Sequence, residues 1–391
     1  MHYRYLIVGG GMTADAAVRG IRELDGKSPI GLVGLEADAP YARPPLSKGL
    51  WKGEPFESVW RKTAEASVDL HLGRRVTALD LREKRAVDDR QDVYAFDKLL
   101  LATGGTPRRL PFGGGDVTYF RTLEDYRRLR DRAGPGKNFV VIGGGFIGSE
   151  IAAALALQGC KVTMLFPEEG IGARVFPPDL ARFLVDYYGE KGVVVRPGEQ
   201  VTDVSRKGSQ VVVETKNGRR VTADGVVAGL GIVPNTDLAA AAGLVVEDGI
   251  VVDEFLRATD SDVFAAGDVA RFRSRALGTK MRVEHEDNAL TMGRAAGRAM
   301  AGDTSPFEHL PFFYSDLFEL GYEAVGELDP RGEVSADWKT PFREGVIYYL
   351  SGGRVRGVLL WNTWGQVDAA RALIAEPGPF RAANLAGRLP S

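Results

Sequence analysis

Apolar positions along the chain follow two rhythms in alternation. "YRYLIVGGG" is a short apolar run that stops at glycines, "TADAAVRGIREL" spaces its apolar residues three and four apart, and "PIGLVGLE" is a short apolar run again. That order predicts strand, tight turn, helix and strand, a βαβ unit with Glu36 ending its second strand. The same order returns at "NFVVIGGG", "FIGSEIAAALALQGC" and "KVTMLF" (138–166). Two such units predict an α/β protein with parallel sheets and helices on their faces. Residues 193–230 read differently: "VVVRPGEQVTDVSRK" and "SQVVVETKNGRRVTADGVVAGL" alternate around turn signals such as Asn217-Gly218, which predicts antiparallel strands. A third pattern starts near Phe307. "GVIYYLSGGRVRGVLLWN" (345–362) predicts a hairpin turning at Gly352-Gly353, and "GQVDAARALIAE" predicts a helix after it. The Pro- and Gly-containing stretch near 302–311 is the expected boundary of this last domain.

Composition narrows the function classes. The 391 residues are 44% hydrophobic and 26% charged, the balance of a globular protein of two or three domains. Lys plus Arg is 50 against 52 Asp plus Glu, so the basic excess of a nucleic-acid-binding protein is missing and no nucleic-acid partner is expected. "DYRRLRDR" (125–132) reads as a solvated helix face. No apolar run reaches the ~18 residues of a membrane span, so stable membrane insertion is not expected. A strand-like segment begins within five residues of Met1, which predicts no targeting leader. Cys160 is the one cysteine, expected to be a small core residue. It excludes redox chemistry through a cysteine pair and fits a cytoplasmic setting. No cluster of residues suggests a metal site.

The chemistry sits at the two glycine turns. The first is Gly9-x-Gly11-x-x-Ala14, followed by Glu36; the second is Gly143-x-Gly145-x-x-Gly148, followed by Glu168, 20 residues on. In such a turn the first glycine permits the sharp bend and the second lets a pyrophosphate approach the backbone. The small third residue lets helix and strand pack closely. The helix start presents free N–H groups and partial positive charge to the phosphates, and the acid accepts hydrogen bonds from ribose hydroxyls. Two complete copies predict two dinucleotide sites. The usual pairing is a flavin acceptor, FAD, and a nicotinamide donor. "SDVFAAGDVA" (261–270) ends a strand at Gly267-Asp268, where a carboxylate can hold a sugar hydroxyl, so the first turn is the flavin candidate. Glu168 at a ribose edge repels a 2′-phosphate, which predicts NADH over NADPH; nearby Arg174 softens that preference.

"YARPPLSKGLW" (41–51), "LLATGGTPR" (100–108), "VIGGGFIGSE" (141–150), "FAAGDVA" (264–270) and "RVEHEDNAL" (282–290) stand in this order along the chain. Together they resemble the FAD-dependent pyridine nucleotide oxidoreductases of the glutathione-reductase structural family. Within it the likeness is greatest to apoptosis-inducing factor and its bacterial relatives. The ferredoxin reductases of oxygenases and monodehydroascorbate reductase come next. The resemblance implies two Rossmann-like dinucleotide-binding domains plus a C-terminal α+β domain. FAD would be bound by 1–113 and 241–305, NAD(H) by 114–240, and 306–391 would form an interface domain. It implies that Arg43, Pro44 and Lys48 lie along the flavin, with Thr103, Gly104, Gly267, Asp268 and Glu284 also lining cofactor. Phe146 would be a movable gate on the nicotinamide side, and His285 would stack at the flavin–nicotinamide face. Tyr314 stands where apoptosis-inducing factor has Trp.

The same resemblance explains a carboxylate, Glu150, just inside a helix that opens on phosphate. Its implied partner is Lys48, carried on a loop of the other domain and directed to flavin N5. A buried Glu or Lys alone would tend to lose its charge, whereas a pair keeps both. The implied reaction passes hydride from NADH to FAD and the electrons to an acceptor, whether ferredoxin, quinone or small molecule. Two alternatives stay open at this point: the ferredoxin reductase component of an oxygenase system, and an NADH-sensing flavoprotein that signals by forming a homodimer on reduction. The long insertion before the last hairpin of the animal apoptosis protein has no counterpart between Val325 and Val346.

Overall fold

The computed structural model describes residues 1–389. By its packing the chain divides into two compact units. The first comprises Met1–Arg43, Phe56–Thr106 and Val233–Pro311; the second comprises Pro44–Pro55, Pro107–Ile232 and the chain from Phe312 onward.

In the first unit, strand His2–Val8 runs parallel to Ile30–Gly34 on one side and to Val93–Leu101 on the other. Its apolar run is buried from Tyr5 to Val8, as a strand covered on both faces must be. The long strand Val93–Leu101 serves two further partners: Val93–Ala95 pair antiparallel with Arg85–Val87, and Leu99–Leu101 pair parallel with Val263–Ala265. Helix Met12–Leu24 fills the first βαβ connection and packs on helix Glu286–Met300. Glycines set the closeness of that contact. A Cβ at Gly20 would lie 2.1 Å from the Arg294 carbonyl oxygen, and one at Gly297 would lie 2.1 Å from that of Ala17. Both obstacles are backbone, so Gly297→Ala is expected to cost about 1–3 kcal/mol through overpacking. A urea titration followed by circular dichroism measures this, and a midpoint equal to the parent's would contradict it.

The second unit holds a parallel five-stranded sheet in the order Val193–Pro197, Lys161–Phe166, Asn138–Ile142, Gly225–Ala228, Val117–Tyr119. Here the antiparallel expectation for 193–230 needs correction. Only Val201–Lys207, Gln210–Thr215 and Arg220–Ala223 form an antiparallel sheet; the flanking strands at 193–197 and 225–228 run parallel with their neighbours. The cause is helix Pro178–Glu190, which returns the chain so that Val193–Pro197 continues the parallel sheet. A five-residue apolar run carries no sign of its direction. "DYRRLRDR" lies in helix Leu123–Arg132, whose Leu123, Tyr126 and Leu129 are buried under the arginine face. Strands Glu344–Ser351 and Arg354–Trp361 form the expected hairpin at Gly352-Gly353 and belong to a five-stranded antiparallel sheet with helix Val367–Ala375 beside it. Cys160 is buried and its thiol is pushed up by burial.

Candidate active site

At the first turn, Gly9 has φ +131°, and a Cβ there would lie 2.1 Å from the Ala102 carbonyl oxygen. That close approach sets the turn against Thr103-Gly104. Thr103 is locked in turn: its hydroxyl donates to the Asn235 carbonyl at 2.8 Å, and Asn235 Nδ2 donates to the Thr103 carbonyl at 2.8 Å. Gly11 caps helix Met12–Leu24 with no side-chain hydrogen bond. A Cβ on Gly11 would meet no atom beyond its chain neighbours within 4 Å, and its φ of −96° suits any residue. The protein's own packing therefore gives no reason for glycine at 11; a ligand approaching the helix N-terminus does.

Other predicted residues gather at this turn. Strand Ile30–Gly34 ends two residues before Glu36, two residues earlier than the sequence pattern suggests, because the apolar burial stops at Gly34. Glu36 accepts from Arg43 Nη2 at 2.5 Å and from the Tyr41 hydroxyl at 2.5 Å. Burial pulls the Arg43 guanidinium down, but Tyr41, Glu36 and Asp268 outweigh it and hold the group above its ordinary value. Gly267 lies against Thr13, since a Cβ there would meet the Thr13 hydroxyl at 2.3 Å, and this brings buried Asp268 beside the turn. Arg282 ties the next stretch in: it donates to the Asp268 carbonyl at 3.1 Å and pairs with Glu284 at 2.6 Å. His285 follows as the N-cap residue of helix Glu286–Met300 and is half-buried. Sequence reasoning passed over Asp15. It is wholly buried in the first turn of helix Met12–Leu24 and accepts from Arg19, Arg61 and Thr63.

The second turn repeats the design with one difference. Gly143 has φ +112° and faces the Gly229 carbonyl, which a Cβ would meet at 2.3 Å. Gly145 caps helix Phe146–Leu157 without a side-chain bond and a Cβ there would point into open space. The third position differs. A Cβ at Gly148 would lie 2.0 Å from the Gly143 carbonyl oxygen, whereas Ala14 is accommodated fully buried. Glu168 lies two residues past strand Lys161–Phe166 and pairs with Arg174 at 2.7 Å, the arginine side chain being 84% exposed.

One turn into helix Phe146–Leu157, Glu150 is 4% exposed and pairs with Lys48 Nζ at 2.8 Å. The segment carrying Lys48 packs in the same unit as Glu150. The expected loop of another domain is held there by several contacts. Lys52 pairs with Asp316 at 2.9 Å, Gln158 donates to the Trp51 carbonyl at 2.9 Å, and Arg130 sits over the Trp51 ring. Ser47 and Ser315 hydroxyls donate to the two Glu150 oxygens, each at 2.5 Å. Neither serine was singled out in the sequence, although each adjoins a residue that was. Burial, and then the Glu150 charge, raise the phenols of Tyr188 and Tyr322 well above their ordinary value, so the carboxylate is walled by neutral rings. Lys48 Nζ also lies 5.3 Å from the Tyr314 ring centre, within cation–π range. The Phe146 and Phe313 ring centres are 5.2 Å apart.

Both turns fit a dinucleotide. Each offers an uncapped helix N-terminus and a glycine whose missing side chain leaves room that the protein does not fill. Comparison with known proteins agrees. The family described as pyridine nucleotide-disulphide oxidoreductase matches residues 3–293, and the chain belongs to that family. Mitochondrial apoptosis-inducing factor 1 of Dictyostelium discoideum is 33% identical, over 95% of this chain and 78% of that protein. Putidaredoxin reductase of Pseudomonas putida is also 33% identical, over 98% of this chain and 94% of that one. In the crystal structure of the covalent putidaredoxin reductase–putidaredoxin complex, a chain covering 95% of this one matches with a TM-score of 0.90. The protein is accordingly an FAD-containing oxidoreductase that uses NAD(H). Among the described residues no group of side chains could hold a metal ion, and no helix is long and apolar enough to cross a membrane.

Proposed function

We propose that the protein oxidises NADH with Lys48, held by Glu150, serving the reacting edge of the flavin. The supporting observation is the buried Lys48–Glu150 pair, whose carboxylate has both oxygens engaged by serine hydroxyls. Bound FAD supplies the chemistry, taking a hydride from the nicotinamide and passing its electrons on. The chain supplies the setting. Gly9, Gly11 and Ala14 hold the FAD phosphates, Glu36 and Asp268 its sugar hydroxyls, and Arg43, Pro44, Thr103, Gly104, Gly267 and Glu284 line it. Gly143, Gly145 and Gly148 hold the NADH phosphates, with Phe146 as the gate and His285 and Tyr314 lining the nicotinamide. Residues 1–113 and 241–305 then form the FAD domain, 114–240 the NAD(H) domain and 306–391 the interface domain. Lys48, paired with Glu150, presents its ammonium where electron density builds. Glu150 keeps it aimed there. The lone buried cysteine fits a reducing compartment such as the cytoplasm.

Glu168 sets the choice of nicotinamide. Its carboxylate repels a 2′-phosphate, and Arg174 is too exposed to offset much of that. Anaerobic stopped-flow reduction is expected to favour NADH over NADPH by roughly tenfold or more, about 1.4 kcal/mol. Glu168→Ala is expected to narrow the gap. Equal reduction of the parent protein by both donors would remove Glu168 from this role. Delivery of the electrons to a ferredoxin is the second reading, favoured by the likeness to putidaredoxin reductase, 33% identical over 94% of that protein. A sharp rise in cytochrome c reduction on adding a ferredoxin supports it, and no rise counts against it.

A further inference from the structure

Glu150 has a counterpart, Asp15, in the helix that follows the first glycine turn. Asp15 lies four residues past Gly11, as Glu150 lies five past Gly145, and it is wholly buried. A buried carboxylate there repels the phosphates that such a helix start favours, unless cations answer it. Two do. Arg19 donates through Nε to Asp15 Oδ2 at 3.0 Å and through Nη2 to Oδ1 at 3.1 Å, and Arg61 Nε donates to Oδ2 at 2.7 Å. The Thr63 hydroxyl donates to Oδ1 at 2.8 Å. Two arginines against one carboxylate leave the group with one surplus positive charge.

The backbone is shaped for this meeting. Lys62, between Arg61 and Thr63, takes φ +56°, in the left-handed region that side chains rarely adopt, and its turn brings both neighbours to the same carboxylate. The segment is fastened on two sides. Arg19 donates to the Arg61 carbonyl at 2.5 Å, and Arg22 donates to the carbonyls of Ala66 at 2.9 Å and Ser67 at 2.6 Å. On the other side the Arg61 N–H donates to the Pro40 carbonyl at 3.1 Å and the Ala42 N–H to the Val59 carbonyl at 2.8 Å, beside Tyr41 and Arg43, which hold Glu36. Arg61 therefore stands between the helix of the first glycine turn and the loop of its ribose acid, all within the first unit. Its guanidinium is only partly engaged. Asp15 fixes Nε, and among the described residues neither terminal nitrogen donates a hydrogen bond, although the side chain is only 22% exposed. A fork aimed by its Nε, with both amino groups uncommitted, matches the oxygens of a phosphate.

We propose that Arg61 binds the diphosphate of FAD and that Asp15 is its positioning residue. The inference rests on the assignment of the first glycine turn to FAD and adds a cationic contact to it.

Competition on the apoprotein separates a phosphate contact from a loosened fold. FAD binding is followed by flavin fluorescence, with ADP and adenosine as competitors, since both carry the adenosine and only ADP carries the diphosphate. In Arg61→Met the affinities for FAD and ADP are expected to fall together by about ten- to hundredfold, the scale of a charge-assisted hydrogen bond, while that for adenosine keeps its parental value. Rising salt is expected to weaken FAD binding less in this variant than in the parent. Arg61→Lys keeps a charge beside Asp15 but lacks the fork and is expected to fall in between; it carries the same comparison where the Met variant does not fold. Asp15→Asn is expected to weaken FAD and ADP in the parent background and to cause no further loss in the Arg61→Met background. Unchanged FAD and ADP affinities in Arg61→Met overturn the proposal, and so does an equal loss for adenosine, which leaves Arg61 a structural part only. An equal effect of Asp15→Asn in both backgrounds removes its positioning role. Weaker NADH binding with unchanged FAD affinity overturns the assignment of the first glycine turn to FAD as well.

Discussion

Glu150→Ala is expected to destabilise the second unit by about 3–5 kcal/mol, because it strands the Lys48 ammonium in a site built for an ion pair. The geometry leaves little room for rescue. Glu150 is 4% and the Lys48 side chain 13% exposed, and Ser47 and Ser315 both point hydroxyls at the carboxylate. Removal therefore strands one cation and takes an acceptor from two hydroxyls at once, in a site walled by Tyr188 and Tyr322. The double variant Lys48→Met/Glu150→Leu leaves no uncompensated charge and is expected to recover much of that loss, since apolar replacement of a buried pair is often near neutral. It is not expected to recover fast reduction of FAD by NADH. Thermal unfolding of the single and double variants gives the first result, and rapid mixing with NADH the second. A double variant as unstable as Glu150→Ala would show that packing, not charge, holds this site. One that is reduced at the parental rate would free the lysine of any part in the reaction.

The two first-position glycines are expected to fail in different ways. Gly9→Ala and Gly143→Ala each put a side chain on a residue at positive φ, +131° and +112°, and drive it against a backbone carbonyl that cannot swing aside. Each substitution therefore combines strain of order 1–3 kcal/mol with an overlap that moves the turn. Gly9→Ala is expected to purify largely without FAD. Gly143→Ala is expected to keep its FAD and bind NADH at least about tenfold more weakly, as befits a turn displaced by even 1 Å. Absorbance at the flavin band and an NADH titration read the two effects separately. Loss of FAD from the Gly143 variant, with the Gly9 variant fully loaded, would reverse the assignment of the two turns.

Much of this site was legible because it is written locally. Each turn shows its strand, its glycines and its helix within about fifteen residues, so the pattern alone places the phosphate cradles. What lay beyond reach was long-range pairing. Nothing near Glu150 names Ser315, 165 positions away, as its hydrogen-bond donor. Likewise, nothing near Asp15 names Arg61, 46 positions away, as its partner. The same limit explains the strands at 193–197 and 225–228: their apolar residues announce a strand, but the direction is set by the helix Pro178–Glu190 and by which edge of the sheet is free. The acids at the ends of the second strands show a subtler limit. Spacing marked Glu36 and Glu168 equally, yet Glu36 sits with a half-buried arginine and a tyrosine, and Glu168 with an arginine in solvent. The sequence around each contains the arginine, six or seven residues on; only the fold says which one is enclosed.

The central claim is that a fixed lysine charge speeds hydride delivery to the flavin, and it meets its most direct test in anaerobic single-turnover reduction of Lys48→Met by NADH. The expected result is a limiting rate lower by roughly tenfold to a hundredfold, the scale of losing one oriented charge at a reacting centre, with the NADH concentration at half-saturation little changed. A limiting rate equal to the parent's, in protein that retains its FAD, would contradict it.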